Sequence, residues 1–395
     1  MVFFIGCIFC ACKKEDRIVD ESKNVTKESH EQWKKGYDLP IDEQEEKEAE
    51  NDCRKMMKLY FDIYETADKG AASNVVLDNK TVLEMQRKLK AEEHAVTTTV
   101  AYANMENYRN VDDFLKECME GKVGSVVIYE VHQDGGLARM KFIFDGTDMY
   151  VISTIGSWND NKPGISYISY TRLKEWKYTE KGWFCYELCV PEPPEVTEIV
   201  DGSCLIRIKP MPEEHRKISE CLVLGLGYQG QNILCSNWNR ENMSKLDYNG
   251  MVEYLYEMKY GEKFNSEVYT DGVPKKEFES LIMEYLPIKE KQIRKYAAFD
   301  EKNQTYLWAR LGPLNYTPTF FETSMPEVVG IKENKDGTVT LTVEAVCDMV
   351  ICDDAFITHE LTVRFEEDGS FKYLGNEILD DGIKNIPEYQ YRIKE

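Results

Sequence analysis

The sequence predicts an α+β protein of two domains, each with N-terminal helices packed on an antiparallel, hairpin-rich β-sheet. Apolar residues recur at steps of three and four over residues 42–69 and again over 249–296, which is the spacing of amphipathic helices. Each helical region is followed by short runs rich in β-branched and aromatic residues, several of them separated by turn pairs such as Asp-Gly. Helices followed by hairpins typically form two layers, with the helices on one face of the sheet.

Length and charge limit the classes of function. A chain of 395 residues is long enough for two domains. Its 71 acidic and 49 basic residues give a net charge of -22. Such a surface repels phosphates, so we expect no nucleic-acid partner and no electrostatic attraction to anionic lipids.

The first twelve residues indicate where the protein is located. Residues 2–12 read VFFIGCIFCAC and are followed directly by charged residues. This run is too short for a membrane-spanning helix, which takes about 20 apolar residues, but it suits the apolar part of an export signal. Its end, Phe9-Cys10-Ala11-Cys12, resembles a bacterial lipobox, in which a small residue precedes a cysteine that becomes the acylated N-terminus.

This resemblance implies a lipoprotein-type signal over residues 1–12, with Cys12 as the lipidation site. The protein would then be held on the extracytoplasmic face of the cell membrane by its lipid anchor. Cys7 is a second possible acylation site, and a plain secretory signal or a buried N-terminal strand are the other interpretations. Residues 13–41 are polar and charged apart from a few isolated residues such as Trp33 and Tyr37, which predicts a tether.

The first α+β domain is predicted over residues 42–194. Asp42 can cap a long helix that ends at Lys69-Gly70, and Asp78 and Asn110 can begin two shorter helices. The apolar stripe of the long helix comprises Ala49, Cys53, Met56, Met57, Tyr60, Phe61 and Tyr64. Strands are predicted over residues 126–131, 137–144, 149–155, 165–170, 175–178 and 183–189. The boundary is placed at residues 191–194, Pro-Glu-Pro-Pro, because prolines do not continue a central strand.

The second α+β domain is predicted over residues 195–395. It begins with a hairpin of residues 195–200 and 204–209, which either domain could own. Asn249 can cap a helix that ends at Gly261, and Pro274 begins another. Strict alternation of apolar and polar residues over 338–345 and 361–366 predicts an antiparallel sheet with one wet face.

One glycine motif suggests a cofactor and is interpreted otherwise. Residues 221–224 read as a strand, and Gly225 to Gly230 match the G-x-G-x-x-G pattern of dinucleotide-binding folds. The residues that follow are poor helix formers, whereas pyrophosphate binding needs a helix N-terminus there. The glycines therefore predict a turn between strands, and we expect no cofactor.

The sequence contains no recognisable catalytic motif and no metal-ligand spacing, so no catalytic residue and no metal are predicted. Four aromatic residues in predicted loops are candidates for a contact surface, since exposed Tyr and Trp bind partners well; core packing is the alternative. They are Trp158, Tyr228, Trp238 and Tyr316. Cys347 and Cys352 are candidates for a disulfide, because four intervening residues can form a turn.

Two stretches, residues 274–296 and 337–379, together with the leader and the tether, resemble uncharacterised surface lipoproteins of Gram-positive bacteria. The resemblance covers most of the chain and implies no activity. Our first hypothesis is therefore a lipid-anchored, non-enzymatic extracytoplasmic protein that binds an unknown extracellular ligand or protein. The alternative is an exported hydrolase that acts on glycan or peptide through paired carboxylates.

Overall fold

The computed structural model of the chain describes residues 33–70, 74–347 and 355–393. Its α-helices, numbered in chain order, are α1 (Glu43–Leu59), α2 (Phe61–Thr66), α3 (Asn79–Leu89), α4 (Arg109–Met119), α5 (Glu213–Ile218), α6 (Tyr248–Tyr260), α7 (Lys275–Tyr285) and α8 (Glu290–Tyr296). None of these helices has both the length and the apolar character needed to cross a membrane.

The strands fall into three sheets. The N-terminal sheet contains β1 (Ala95–Thr98), β2 (Gly124–Val131), β3 (Leu137–Phe144), β4 (Met149–Asn159), β5 (Lys162–Tyr178), β6 (Trp183–Leu188) and β7 (Ser203–Arg207), side by side in that order. A small sheet contains β9 (Val273–Pro274), β10 (Phe299–Asp300) and β11 (Thr305–Tyr306). The C-terminal sheet has the order β12 (Met325–Glu333), β13 (Val339–Val346), β14 (Thr358–Phe365), β15 (Phe371–Ile378) and β8 (Trp238–Asn239).

The N-terminal sheet curls around its own core. β1 is parallel to β2 and every later pair is antiparallel. The ring of Phe142 on β3 packs edge-to-face on Phe184 and Tyr186 of β6, at centroid distances of 5.2 and 5.4 Å, although two strands, β4 and β5, separate them in sequence. Helix α4 closes this inner core with Val111, Phe114 and Leu115, while α1 and α3 cover the opposite face. The prediction of helices layered on an antiparallel sheet is confirmed here.

The C-terminal sheet packs on α6 and α7 through a second, larger core. Alternate residues of β13, Leu341, Val343 and Ala345, are buried as the sequence pattern predicted. Tyr373 on β15 is fully buried and its hydroxyl donates to the carbonyl oxygen of Leu222, 2.6 Å away. The sheet therefore holds both the helices and the preceding loop region in place.

Helix ends agree with the sequence in part. Asp42 and Asp78 accept hydrogen bonds from the first-turn amides of α1 and α3, and Gly261 ends α6 in the left-handed conformation. The predicted caps Asn110 and Asn249 are wrong: α4 begins at Arg109 without a side-chain cap, and Asp247 caps α6. Asn249 instead bonds backbone groups of residues 298 and 307, which a local pattern cannot foresee.

Two predicted strand assignments are wrong. Residues 221–224 are not a strand; they belong to a π-helical turn, Ser219–Val223, that buries Leu222 and Val223. A four-residue apolar run does not distinguish a strand from a helical turn. Residues 195–200 form no strand either, whereas residues 165–170 and 175–178 are joined in the single long strand β5.

The N-terminal segment 33–39 lies against the N-terminal sheet, and the tether predicted over residues 13–41 stays a prediction. The carbonyl oxygen of Gly36 accepts from the amide of Arg172 at 2.7 Å, and the amide of Leu39 donates to Tyr170 at 2.9 Å. Trp33 packs edge-to-face on Tyr150 and Tyr170. The division into domains at residue 194 stays a prediction, although β7 lies beyond it and pairs with β6.

Candidate functional site

The predicted lipidation site and one half of the predicted disulfide lie outside the described residues. Cys12 and Cys352 lie outside the described residues, and Cys347 is buried at the end of β13. Acylation at Cys12 and a bridge between Cys347 and Cys352 therefore stay predictions.

The four candidate aromatic residues do not form one surface. Tyr228 and Trp238 are 1% and 3% exposed and lie in the core of the C-terminal half, where they cannot contact a partner. Trp158 is half-buried: it stacks on Tyr64 at 4.6 Å and its indole N–H donates to the carbonyl oxygen of Gly135 at 2.7 Å. Tyr316 alone lies on an exposed loop, described below.

The fully buried His359 lies in the core and is hydrogen-bonded through both ring nitrogens. Its Nε2 lies 2.9 Å from the Tyr228 hydroxyl and its Nδ1 lies 2.6 Å from Oδ1 of Asn376. Burial lowers the pKa of His359 to about 4, against the opposing effect of Asn376, so the ring is neutral at pH 7. The amide of Asn376 donates in turn to the carbonyl oxygens of Leu234 and Ser236. This arrangement joins β14 and β15 to the segment before β8 and gives the histidine a structural role.

A pair of carboxylates lies where the N-terminal sheet meets the C-terminal sheet. Glu327 on β12 and Glu344 on β13 are directly opposite in register, and like charges in that position repel. Cations from the N-terminal half compensate: Arg207 bonds Glu327, and Nζ of Lys181 lies 2.6 and 2.7 Å from the two oxygens of Glu344. Burial raises the pKa of Glu327, although Arg207 counteracts this. The four charges thus tie the two halves together.

Two concavities on the described part of the chain are shallow and lined by ion pairs. One, of about 320 Å³, includes Lys35 and Tyr37, both bonded to Glu195, together with the pair of Lys174 and Glu187 at 2.8 Å. The other, of about 350 Å³, is bordered by Glu344 and by acidic residues after β15. Within the described part of the chain, no group of three or more His, Cys, Asp and Glu side chains is placed to hold a metal ion.

Two strongly exposed apolar side chains lie on one long loop, residues 307–320, which we call the 307–320 loop. Leu314 is 96% exposed and Phe320 is 61% exposed. From Lys302 to Phe321 there is no acidic residue, in a chain with 71 of them, while Arg310 is exposed. Loops of this length without secondary structure are uncommon in compact proteins and are usually functional.

Short-range bonds order the 307–320 loop. The side-chain oxygen of Asn315 accepts from the Gly312 amide at 3.0 Å, and its amide group donates to the carbonyl oxygen of Arg310 at 3.1 Å. At the far end, Thr319 and Glu322 form a reciprocal capping box. The exposed side chains are therefore presented on a preformed backbone, which reduces the entropy cost of binding.

The C-terminal segment supports the base of this loop. The Arg392 side chain is fully buried and pairs with Glu253 at 2.8 Å. Its guanidinium also donates to the carbonyl oxygens of Gly230, at 3.1 Å, and Ala309, at 3.4 Å. Tyr389 donates to Asp247, the residue that caps α6. Arg392 thus holds both Ala309, at the base of the loop, and Gly230, in the glycine-rich segment 225–230.

Sequence reasoning identified Tyr316 in this region. The overlooked signal is the combination of glycine, prolines and leucines without any acid over residues 303–321. Aromatic residues and arginine with few acids are the composition of protein interface cores.

Comparison with known proteins gives one match. A protein-family model described as a family of unknown function matches residues 46–392. No curated protein and no solved structure matches the chain.

Proposed function

We propose that this chain, which belongs to the DUF6070 family, whose function is unknown, is a lipid-anchored extracytoplasmic protein. In this proposal it binds a partner protein without catalysing a reaction. The observation that carries this proposal is the exposure of Leu314 and Phe320 on the ordered 307–320 loop. Exposed apolar groups on a preformed loop lose unfavourable contact with water when a partner covers them.

The chemistry of the loop indicates the chemistry of the partner. Leu314 and Phe320 suit an apolar pocket, and the exposed Arg310 suits a carboxylate at the rim of that pocket. The loop is free of acids on a protein of net charge -22, so it is a place where another acidic protein can approach with little repulsion. The leader supports the location, because a lipobox-like Cys12 precedes a charged stretch.

The location is tested by detergent-phase partitioning in a bacterium that processes lipoproteins. The natural chain is expected in the detergent phase and the Cys12→Ala variant in the aqueous phase. Identical aqueous behaviour of both proteins would remove the lipid anchor from the proposal.

Partner binding is tested on the same cells by photocrosslinking. A photoreactive residue at Thr317, which is exposed on the loop, is expected to give a discrete protein adduct. The same residue at Ile199, 91% exposed but far from the loop in sequence, serves as the matched control. The adduct should disappear when Leu314→Ser and Phe320→Ser are introduced together. Equal adducts at both positions, or an adduct that survives the double substitution, would contradict the proposal.

A further inference from the structure

The two halves of the described chain meet through a small interface. Strands before residue 208 belong to the N-terminal sheet, strands after it belong to the other two sheets, and residues 208–212 connect the two sets. The apolar part of this interface is one cluster, much smaller than the core of either half: Trp183, Cys185, Leu205, Met325 and Val346. Two units of a chain are expected to move relative to each other unless the interface between them is large and apolar.

Charged and polar side chains make up the rest of the interface. Glu327 and Glu344 lie opposite each other on neighbouring strands of the C-terminal sheet. Their cationic partners, Arg207 and Lys181, both come from the N-terminal half. The hydroxyl of Tyr102, also in the N-terminal half, donates to a backbone carbonyl oxygen of β12. Separation of the halves would therefore take both cations from the carboxylates and give them water instead.

Glu327 is incompletely paired in this interface. It is 3% exposed and its Oε2 atom is buried without a hydrogen-bond partner, whereas both oxygens of Glu344 bond Lys181. A buried carboxylate with an unpartnered oxygen costs free energy that the protonated form avoids. Burial accordingly raises the pKa of Glu327, and the charge of Glu344 acts in the same direction, while Arg207 and Lys181 counteract both.

Other titratable groups lie on the elements packed against β12. Burial, together with the charges of Glu327 and Glu220, raises the pKa of Tyr102 well above its usual range, so its hydroxyl stays neutral. Glu220, in the π-helical turn, pairs with Arg216 of α5 at 2.7 Å. Histidine titrates between pH 5 and pH 8, so His215 on α5 needs a control of its own. The remaining charged residues of α5 are Glu213, Glu214 and Lys217.

We propose that the interface between the two halves opens and closes, and that Glu327 makes the balance between the two forms depend on pH. In the open form water reaches this carboxyl group, which then ionises with an ordinary pKa of 4.5. In the closed form the group keeps its proton to higher pH, so the closed form binds more protons and acid favours it. This contribution is complete below pH 4.5 and is lost as the pH rises through the raised pKa.

The test is fluorine NMR from pH 5 to pH 8 on the full chain carrying Cys12→Ala, with 5-fluorotryptophan at its six tryptophan positions. Trp183 reports on the interface, because it is 5% exposed there and the Arg207 guanidinium lies 4.9 Å from its ring. Its solvent isotope shift, assigned with Trp183→Phe, is expected to increase at least twofold as the pH rises. Trp238, 3% exposed in the core of the C-terminal half, is the internal reference and should not change.

Glu327→Gln removes the titrating proton at nearly constant shape, so the Trp183 shift should become independent of pH. Glu333→Gln, at an exposed position on the same strand, and His215→Gln are the matched controls and should keep the pH dependence. The proposal is overturned if the Cys12→Ala chain shows no response at Trp183, if Glu327→Gln keeps the response, or if either control loses it. An equal change at Trp238 would indicate unfolding instead of opening and would also overturn it.

Glu344→Gln decides the question if Glu327→Gln proves unfolded by circular dichroism. Removing the charge of Glu344 takes away one cause of the raised pKa of Glu327. The pH at which Trp183 becomes exposed should therefore move to a lower value, and an unchanged or higher value would contradict the proposal. The outcome is independent of the 307–320 loop and of the lipid anchor.

Discussion

Both ends of the described chain are attached to the body through charged side chains, but in different surroundings. The N-terminal segment uses Lys35 and Tyr37 on Glu195, all at least partly exposed to solvent. The C-terminal segment uses Arg392, fully buried with Glu253 and two carbonyl oxygens. An exposed ion pair competes with water and contributes little, whereas a buried charge that loses its partner is left without solvation. The comparison indicates that a buried ion pair makes the C-terminal segment integral to the fold, whereas the exposed ion pair of Lys35 contributes little to holding the N-terminal segment.

The largest effect is expected at Arg392. Replacing it with Ala leaves the Glu253 carboxylate buried and unpaired, so the free energy of unfolding should fall by about 3–5 kcal/mol. Urea denaturation measures this change. The double variant Arg392→Met with Glu253→Met removes both charges and should recover part of the loss. If Arg392→Ala costs no more than an exposed ion pair, the proposed difference between the two ends is wrong.

A second large effect concerns His359, in the same half of the molecule. Its folded pKa of about 4 lies below the usual value of 6.5, so protons bind the unfolded chain more readily. The stability from the neutral ring is complete above pH 6.5 and is lost as the pH falls towards 4, by about 3 kcal/mol at 1.36 kcal/mol per pKa unit.

The comparison of the natural chain with His359→Gln isolates this contribution, since carboxylates elsewhere titrate equally in both. The difference in unfolding free energy between the two proteins should narrow by about 3 kcal/mol between pH 7 and pH 4. A difference that stays constant with pH would mean that His359 has the same pKa in the folded and unfolded chains.

A smaller effect is expected at Gly36, where the N-terminal segment crosses the sheet. Its φ is +81°, and an added Cβ would lie 2.7 Å from the Cys189 sulfur. Gly36→Ala should therefore release residues 33–39, seen as faster hydrogen exchange there, without unfolding the body. Gly70→Ala is the control, because φ is also positive at Gly70 but nothing lies near the added atom. Equal exchange of residues 33–39 in both variants would show that a Cβ at residue 36 does not displace the segment.

The smallest effect is expected for Glu195→Gln. The Lys35 ammonium and the Tyr37 hydroxyl bond this carboxylate and hold its pKa below its usual value, but solvent reaches all three groups. We expect no measurable change in the melting temperature. A clear decrease would place the N-terminal attachment in the same class as the C-terminal one.

The amphipathic helices and the alternating strands could be predicted because their signal is periodic. The stripe from Ala49 to Tyr64, on α1 and α2, and the alternation along β13 each repeat the same physical demand, burial of one face, several times. Only Phe61, which is half-buried, departs from that stripe, since Tyr60 interrupts the helix there. The cap at Asp42 was visible for the same local reason, because its partners lie two and three residues away.

The candidate site depended on contacts that no local pattern contains. Tyr228 and Trp238 looked like loop aromatics, yet both are buried because strands β14 and β15, more than a hundred residues later, pack against them. No sequence pattern marks Leu314 as exposed. It is exposed because the hydrogen bonds of Asn315 that order this part of the loop stay within the loop.

The sequence by itself determined the helices, most strands and the acidic balance, because these follow from residue spacing and composition. Only the tertiary structure decided that the N-terminal sheet curls and that Arg392 supports the base of the 307–320 loop. The physical reason is range: periodicity and capping act over a few residues, whereas burial is fixed by which distant segments meet.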